Sequence, residues 1–165
     1  MRASAIAVVV LLGCGGPPRT PLVAPTAAKP LPPTELALRG GGTWTSSGAA
    51  GKVVVLDVWA TYCKPCKRAF PKLGRLAAQF PGAVVIGVSV DHDDAVVDRY
   101  LAETPAAFTI ARDPGEHVQS GPLGVTQLPT LIVVDKAGRV RLRADKADEH
   151  VYDELSSVVT QLEAE

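Results

Sequence analysis

Apolar and polar residues follow two different periods along the chain, and the alternation between them predicts an α/β domain. Residues 52–60 and 83–90 are almost continuously apolar and rich in β-branched side chains, which is typical of strands covered on both faces. Each run is followed by helical spacing. Residues 63–80 carry one apolar face opposite a basic face, and residues 93–103 predict a second helix. A strand, a crossover helix and a parallel strand form the expected βαβ unit.

The C-terminal third predicts a hairpin followed by a closing helix. Residues 130–135 and 139–143 flank a short loop that contains Gly138, which suits a β-hairpin. Asp148 then precedes a helical pattern as a candidate cap. The apolar face of this helix is marked by Val151, Leu155, Val158, Val159 and Leu162. We therefore expect the order β-α-β-α-β-β-α, with a further small hairpin within residues 35–47.

Charge and cysteine content narrow the classes of partner. The 165 residues include 17 Lys plus Arg and 17 Asp plus Glu, so the formal net charge is zero. Nucleic-acid binding normally requires a broad basic surface, so we expect no nucleic-acid partner. Three cysteines are too few for a disulfide-stapled scaffold or for a zinc site with four thiolates. Each cysteine is therefore interpreted by its own position.

The N-terminus resembles an export signal. Residues 1–13 have a positive start and an apolar run that is too short to cross about 30 Å of hydrocarbon as a helix. The run ends in LLGC, which resembles the bacterial lipoprotein signal, in which cleavage precedes a lipid-bearing cysteine. That resemblance implies a lipid anchor at Cys14 in the bacterial cell envelope, facing the periplasm, and Gly15 favours the outer membrane. An ordinary secretory peptide with an incidental cysteine is the alternative.

A proline-rich segment follows the signal and predicts a spacer. Half of the 14 prolines lie between Gly15 and Thr34. Such a composition cannot build a core and favours extended, semi-rigid backbone. We therefore divide the chain into a signal peptide at 1–13, a lipidated cysteine with a tether at 14–34, and a folded domain at 35–165.

The main candidate for chemistry is the segment WATYCKPCK at residues 59–67. Cys63 and Cys66 stand three apart at the start of a predicted helix, so their side chains lie one turn apart and can form a disulfide. The helix N-terminus, with Lys64 and Lys67, stabilises a thiolate, so we expect a lowered pKa at Cys63. Cys63 is thus the predicted nucleophile, and Cys66 resolves the mixed disulfide.

Other interpretations of this cysteine pair are weaker. Structural zinc would need a second ligand pair, but His92, His117 and His150 are dispersed, so we predict no metal. Covalent haem would need histidine at position 67, where a lysine stands. A passive structural disulfide is an alternative, although a ring of four residues constrains the unfolded chain little. Thiol exchange requires no soluble cofactor.

Three segments together resemble thioredoxin. Residues 54–60, the cysteine motif and Pro71 look like its active-site segment, and residues 124–130 (GVTQLPT) resemble its cis-proline loop. With the lipid signal and the tether, the chain resembles the TlpA/ResA-like branch, whose members are membrane-tethered thiol-disulfide oxidoreductases outside the cytoplasm. The resemblance covers residues 35–165 and implies a thioredoxin-like α/β fold, with a central mixed β-sheet flanked by helices.

The same resemblance implies a substrate-binding set. Pro129 is expected to be cis and to face the cysteine pair, and Leu128 would offer backbone groups to an extended substrate. A trans proline that opens a strand is the alternative. Tyr62 replaces the usual tryptophan before the first cysteine and preserves an aromatic wall, and Trp59 completes the predicted set.

Asp57 is the predicted proton acceptor. It is the only charged residue within 53–60, and alternation places it on the same face as Val53 and Val55. Burial there raises the pKa of a carboxyl, which suits a base that takes the proton of Cys66. The corresponding position of thioredoxin is also Asp. A solvated carboxylate at the strand end is the alternative.

A short acidic segment follows the second strand and has two interpretations. It consists of Asp91, His92, Asp93 and Asp94. We interpret it as a solvated cap for the next helix. Catalysis or metal binding is the alternative.

Together these features predict a lipid-anchored, monomeric thiol-disulfide oxidoreductase. Its partners would be exported protein thiols or disulfides and a membrane thiol electron donor, and the resemblance implies work on cytochrome c apoprotein or copper-site thiols. A copper metallochaperone using Cys63, Cys66 and a distant histidine such as His117 is one alternative, because thiolates suit Cu(I). A peroxiredoxin-like peroxidase is the other, although no proline precedes Thr61 at the spacing that its motif requires.

Overall fold

A computed structural model describes residues 20–113 and 118–165. The predicted signal peptide, Cys14 and His117 lie outside these residues. In chain order the structure contains β1 (Glu35–Leu38), β2 (Thr43–Thr45), a 3-10 turn (Ser46–Ala49), β3 (Val54–Trp59), α1 (Lys64–Gln79), β4 (Val84–Ser89), α2 (Asp94–Glu103), β5 (Thr109–Arg112), β6 (Thr130–Val134), β7 (Val140–Asp145) and α3 (Glu149–Ala164). Across the two described ranges, no helix has both the length and the apolar character needed to cross a membrane.

All seven of these strands form one mixed sheet, in the order β2-β1-β5-β4-β3-β6-β7. The strands β3, β4 and β5 pair in parallel, whereas β6 and β7 on one side and β1 and β2 on the other join the sheet through antiparallel pairs. This arrangement confirms the predicted mixed sheet. It also places β3 between two partners, with Asp57 in register with Gly87 of β4 and Leu131 of β6.

The predicted elements lie within two residues of those observed, and the N-terminal hairpin is present as β1 and β2. One strand was missed. β5 inserts between α2 and β6, so the chain has one more strand than the predicted order. Its sequence TIAR is short and ends in a charged residue, and only Ile110 and Ala111 are buried. A pattern of two buried residues does not distinguish a strand from a loop.

Two apolar clusters hold the helices against the sheet. On one face, α1 and α3 pack together over Val53 and Val55. On the other face, α2 packs through Val97 and Leu101 on a cluster that includes Leu56 and Val58. Side chains alternate along a strand, so Asp57 belongs to the face that α1 and α3 cover.

Part of the proline-rich segment lies along β7. The amide of Val23 donates to the carbonyl of Arg141 at 2.8 Å, and the amide of Leu31 donates to Gly138 at 2.8 Å. In return, the amide of Val140 donates to Lys29 at 2.8 Å. These bonds satisfy an edge strand that would otherwise expose unpaired groups. Part of the predicted tether is thus hydrogen-bonded to the β6–β7 hairpin, and the division of the chain at residue 34 stays a prediction.

Candidate active site

The cysteine pair occupies the N-terminus of α1. Cys63 is the N-cap residue, and its Sγ accepts a hydrogen bond from the amide of Cys66 at 3.3 Å. The two sulfurs form a disulfide, and the Cα atoms are 5.4 Å apart. Cys63 is 8% exposed and Cys66 is 0% exposed. An external thiol can therefore reach the first cysteine but not the second.

Lys64 and Lys67, which the sequence places beside the cysteine pair, have different surroundings. Lys64 is exposed to solvent. Lys67 Nζ lies 5.2 Å from the centre of the Tyr100 ring, in a cation–π contact. Both lysines are exposed to solvent, and Lys67 is in addition held against an aromatic ring.

Asp91 fixes the loop that joins β3 to Cys63. Its Oδ2 accepts from the Thr61 amide at 2.9 Å, and its Oδ1 accepts from Thr61 Oγ1 at 2.7 Å. Ser89 Oγ also donates to Oδ2 at 2.9 Å. The sequence analysis missed this role. A usable signal was present, because β3 and β4 are adjacent parallel strands and the residues just after them meet at one edge of the sheet.

The remaining acidic residues of this segment have structural roles. Asp93 caps α2, since its Oδ1 accepts from the Ala95 amide at 2.8 Å. Asp94 forms an ion pair with Arg112. The interpretation as a helix cap is confirmed for Asp93, and Asp91 instead holds the active-site loop.

The loop before β6 is held by a polar network. The Leu128–Pro129 peptide bond is cis, as the resemblance implied. Thr130 Oγ1 lies 2.7 Å from the Gln127 carbonyl and 3.0 Å from Asp145 Oδ1. Arg143 hydrogen-bonds Asp145 and thereby lowers the pKa of that carboxyl. None of these supporting contacts was predicted, because they join residues of different strands.

Asp57 is fully buried on the face covered by α1 and α3. Its side chain is 0% exposed, and Oδ1 accepts a hydrogen bond from Tyr152 Oη at 2.5 Å. Its Oδ2 has no hydrogen-bond partner among the described residues. Burial raises the pKa of Asp57 from 3.8 to about 7, although the Tyr152 hydrogen bond acts in the opposite direction. The expected upward shift is confirmed, and the solvated-carboxylate alternative is wrong.

Tyr152 was missed by the sequence analysis. The predicted apolar face of the last helix included Val151, which is only partly buried, whereas Tyr152 is 6% exposed. The available signal was the helical spacing from Tyr152 to Leu155 and Val159. Tyrosine has an apolar ring and a polar tip, and a buried hydroxyl usually has a partner.

Trp59 does not belong to a substrate surface. It is 0% exposed, and its ring packs edge-on against Phe70, with centroids 4.9 Å apart, and lies 5.3 Å from the ring of Tyr100. The prediction that Trp59 binds substrate is therefore wrong, because neighbouring aromatic rings cover this end of β3. Tyr62, in contrast, is 71% exposed beside Cys63.

A cavity of about 570 Å³ lies between the N-terminal ends of α1 and α3. Its walls include Pro65, Leu128, Pro129 and Tyr152, so it adjoins both the cysteine motif and the cis-proline loop. A larger cavity of about 940 Å³ is lined by Val54 and other residues at the opposite end of the sheet. We assign the smaller cavity to the site because it contacts the elements that carry the cysteines.

Metal binding by several side chains finds no support in residues 20–113 and 118–165. Within these ranges, no group of three or more His, Cys, Asp or Glu side chains is arranged to hold an ion. The third ligand suggested for a copper metallochaperone, His117, lies outside them. That alternative therefore stays a prediction from the sequence.

Residues 51–140 match the family described as thioredoxin-like, which is more than half of the chain. The chain therefore belongs to the thioredoxin-like family, in agreement with its mixed sheet and with the cysteine pair at a helix N-terminus.

Among curated relatives, the chain is 34% identical to the thiol-disulfide oxidoreductase ResA of Bacillus thuringiensis (strain Al Hakam) over 92 residues, 54% of this chain and 53% of that protein. The chain thus spans about half the length of the curated relatives it matches. A solved structure of a candidate thiol:disulfide interchange protein DsbE from Chlorobium tepidum is 29% identical, with a TM-score of 0.74 over 82% of this chain and 96% of that one. MTB dsbF is 28% identical, with a TM-score of 0.67 over 78% and 94%. The resemblance to ResA-like proteins is confirmed.

Proposed function

We propose that the protein is a thiol-disulfide oxidoreductase that exchanges disulfides with protein thiols outside the cytoplasm. The observation that carries the proposal is the unequal burial of Cys63 and Cys66 at the N-terminus of α1, next to a face that buries Asp57. Names of the relatives support it, since ResA is a thiol-disulfide oxidoreductase and DsbE a thiol:disulfide interchange protein.

In the reducing direction, the Cys63 thiolate attacks one sulfur of a substrate disulfide. A mixed disulfide forms, and the first substrate sulfur leaves as a thiolate. Cys66 then gives its proton to the Asp57 carboxylate and attacks Cys63 Sγ. This second step closes the Cys63–Cys66 disulfide and releases the second substrate thiolate. Two electrons pass to the substrate, and a dithiol donor must return them to the cysteine pair.

The surface around Cys63 suits an extended peptide. Tyr62 is an exposed aromatic side chain next to the reactive sulfur, and the cavity walled by Leu128 and Pro129 lies on the side of α3. Pro129 has no N–H, so the backbone of Leu128 offers the groups that an extended substrate can bond. We assign Tyr62, Leu128 and Pro129 to substrate binding, whereas Trp59 is buried and does not belong to that set.

The cellular setting is proposed from the sequence. Residues 1–13 would direct export, Cys14 would carry lipid, and the proline-rich stretch would hold the domain near the outer membrane, facing the periplasm. A membrane thiol protein would then be the electron donor, and thiols of cytochrome c apoprotein or of a copper site would be substrates. The domain would act as a monomer.

Turnover of a disulfide substrate tests the proposed activity. Wild-type protein with dithiothreitol as the electron donor is expected to accelerate reduction of insulin disulfides, and Cys63→Ser is expected to abolish that acceleration. Cys14→Ser is the matched control, because it changes a cysteine outside the exchange pair. Undiminished turnover by Cys63→Ser would contradict the proposal.

A further inference from the structure

Tyr152 has no part in the exchange steps above, yet it makes the hydrogen bond to their buried carboxyl. We propose that Tyr152 is a positioning residue that holds Asp57 Oδ1 and leaves Oδ2 as the oxygen that receives the proton of Cys66. This inference rests on the proposed function, because it assigns a task within that reaction.

The hydrogen bonds distinguish the two oxygens of the carboxyl. Oδ1 accepts from Tyr152 Oη at 2.5 Å, whereas Oδ2 is buried without a hydrogen-bond partner among the described residues. A hydrogen bond to one oxygen fixes the rotation of the carboxyl group about its Cβ–Cγ bond. The unpartnered oxygen keeps all of its acceptor capacity, so we assign it to the proton of Cys66.

The sheet supplies no countercharge to Asp57. Its register partners are Gly87 on β4 and Leu131 on β6, and neither has a charged side chain. At Gly87 a larger side chain would meet Phe108, because an ideal Cβ there would lie only 2.7 Å from its ring. The hydrogen-bond donor to the Asp57 carboxyl therefore comes from α3, as Tyr152, and not from the register partners in the sheet.

Six charged or titratable residues from the two helices and the adjoining loop line the rim of the cavity. They are Arg68, Lys72, Lys146, Asp148, Glu149 and His150. Two of the cations already have partners, because Arg68 pairs with Glu149 at 2.9 Å and Lys72 pairs with Asp153 at 2.6 Å. His150 lies 3.6 Å from Glu154. The fully buried carboxyl thus has a neutral hydroxyl as its hydrogen-bond donor, while Arg68, Lys72 and His150 at the rim face other carboxylates.

The phenol is suited to remain a donor. Burial and the neighbouring Asp57 raise the pKa of Tyr152, so its hydroxyl keeps its proton throughout the working range. A donated hydrogen bond favours the ionised form of the acceptor carboxyl. The ring also separates Asp57, which is 0% exposed, from the cavity that Tyr152 lines. Tyr152→Phe retains this wall and removes only the hydrogen bond.

The titration of Asp57 in the oxidised full-length protein tests the inference, because the disulfide removes the cysteines from the titration. We would follow the Asp57 carboxyl carbon by NMR from pH 4 to pH 10 in protein labelled with ¹³C-aspartate. Tyr152→Phe is expected to raise the pKa of Asp57 by about one unit. Tyr100→Phe is the matched control and is expected to change nothing, because the buried Tyr100 hydroxyl has no hydrogen-bond partner among the described residues.

A second readout separates positioning from mere packing. At pH 7, the rate at which Cys66 resolves a mixed disulfide on Cys63 is expected to fall about fivefold in Tyr152→Phe, and to recover toward the wild-type rate near pH 9. A titration that coincides with wild type, or a loss of rate that is equal at all pH values, would overturn the inference. Failure of the proposed function is distinguishable, since it would remove turnover in the wild type while the titration could still show the Tyr152 effect.

Discussion

Asp57 and Arg141 are both buried charged residues, but the protein surrounds them differently. Arg141 is 2% exposed, and its guanidinium donates to the Val23 carbonyl at 2.6 Å and to Glu165 Oε1 at 3.0 Å, with Asp135 Oδ2 at 3.4 Å. Asp57 is 0% exposed and accepts its hydrogen bond from a neutral phenol. Burial by itself therefore does not distinguish a structural group from a chemical one.

Asp57 and Arg141 differ in the charge of their hydrogen-bond partners. Hydrogen bonds from Arg141 to Glu165 and Asp135 raise the pKa of an already strong base, so Arg141 stays charged and ties chain segments together. Without a countercharge, burial brings the pKa of Asp57 to about 7, where a proton can move in either direction. A buried carboxyl with a pKa near neutrality is thus suited to proton transfer, whereas the buried guanidinium is suited to holding structure.

The largest expected effect is the response of stability to pH at Asp57. Its pKa is raised from 3.8 to about 7 on folding, so its contribution to stability is full below about pH 4 and is lost as the pH rises through 7. The loss corresponds to about 4 kcal/mol. Asp57→Asn cannot ionise, so we expect it to match wild type at pH 4 and to exceed its free energy of unfolding at pH 8 by about that amount.

Urea unfolding of the oxidised proteins at several pH values measures this difference. Asp145 and Glu165, whose pKa values are lowered, give the opposite trend at acid pH in both proteins, so the comparison between the two cancels them. If the two stability curves ran parallel from pH 4 to pH 8, the assignment of a raised pKa to Asp57 would be wrong.

Arg141→Met is expected to have the second largest effect, and in the opposite direction. It would leave Asp135 buried without its cation, so we expect a loss of about 3 kcal/mol in the free energy of unfolding at pH 7. Disulfide exchange per folded molecule should be unchanged. Arg139→Met, at an exposed position on the same hairpin, is the control and should cost less than about 0.5 kcal/mol. A loss of disulfide exchange per folded molecule in Arg141→Met would contradict the assignment of a purely structural role to Arg141.

The smallest effect concerns the helix that carries Tyr152. Asp148 caps α3 by accepting from the Val151 amide at 3.1 Å, and Asp93 caps α2 in the same way. We expect Asp148→Ala and Asp93→Ala each to lower the free energy of unfolding by about 1 kcal/mol. Thermal unfolding followed by circular dichroism compares the two variants. A much larger loss for Asp148→Ala would mean that the placement of Tyr152 depends on the cap as well as on apolar packing.

Local signals made much of the site predictable. The cysteine pair could be predicted from the spacing of Cys63 and Cys66 at a helix start alone. Alternation along a buried strand was sufficient to predict that Asp57 is buried. Pro129 followed from resemblance. The main elements of the sheet were equally local, because long apolar runs mark β3 and β4.

The remaining features of the site depend on tertiary contacts between elements that are distant in sequence. Tyr152 and Asp57 are 95 positions apart in the chain, and Asp91 and Thr61 are 30 positions apart, so no short pattern joins either pair. Trp59 was wrongly placed at the surface because strand periodicity does not reveal that aromatic rings of α1 and α2 cover it. Tertiary pairing, rather than composition, decided these positions.

The attacking sulfur is the central claim, and a trapped mixed disulfide tests it most directly. Reduced Cys66→Ser would be exposed to a peptide disulfide, and the adduct would be located by mass spectrometry of proteolytic fragments. We predict a stable adduct on Cys63, and much slower adduct formation on Cys66 in the reciprocal variant Cys63→Ser. Equal or faster modification of Cys66 in Cys63→Ser, or no adduct on Cys63 in Cys66→Ser, would contradict the account.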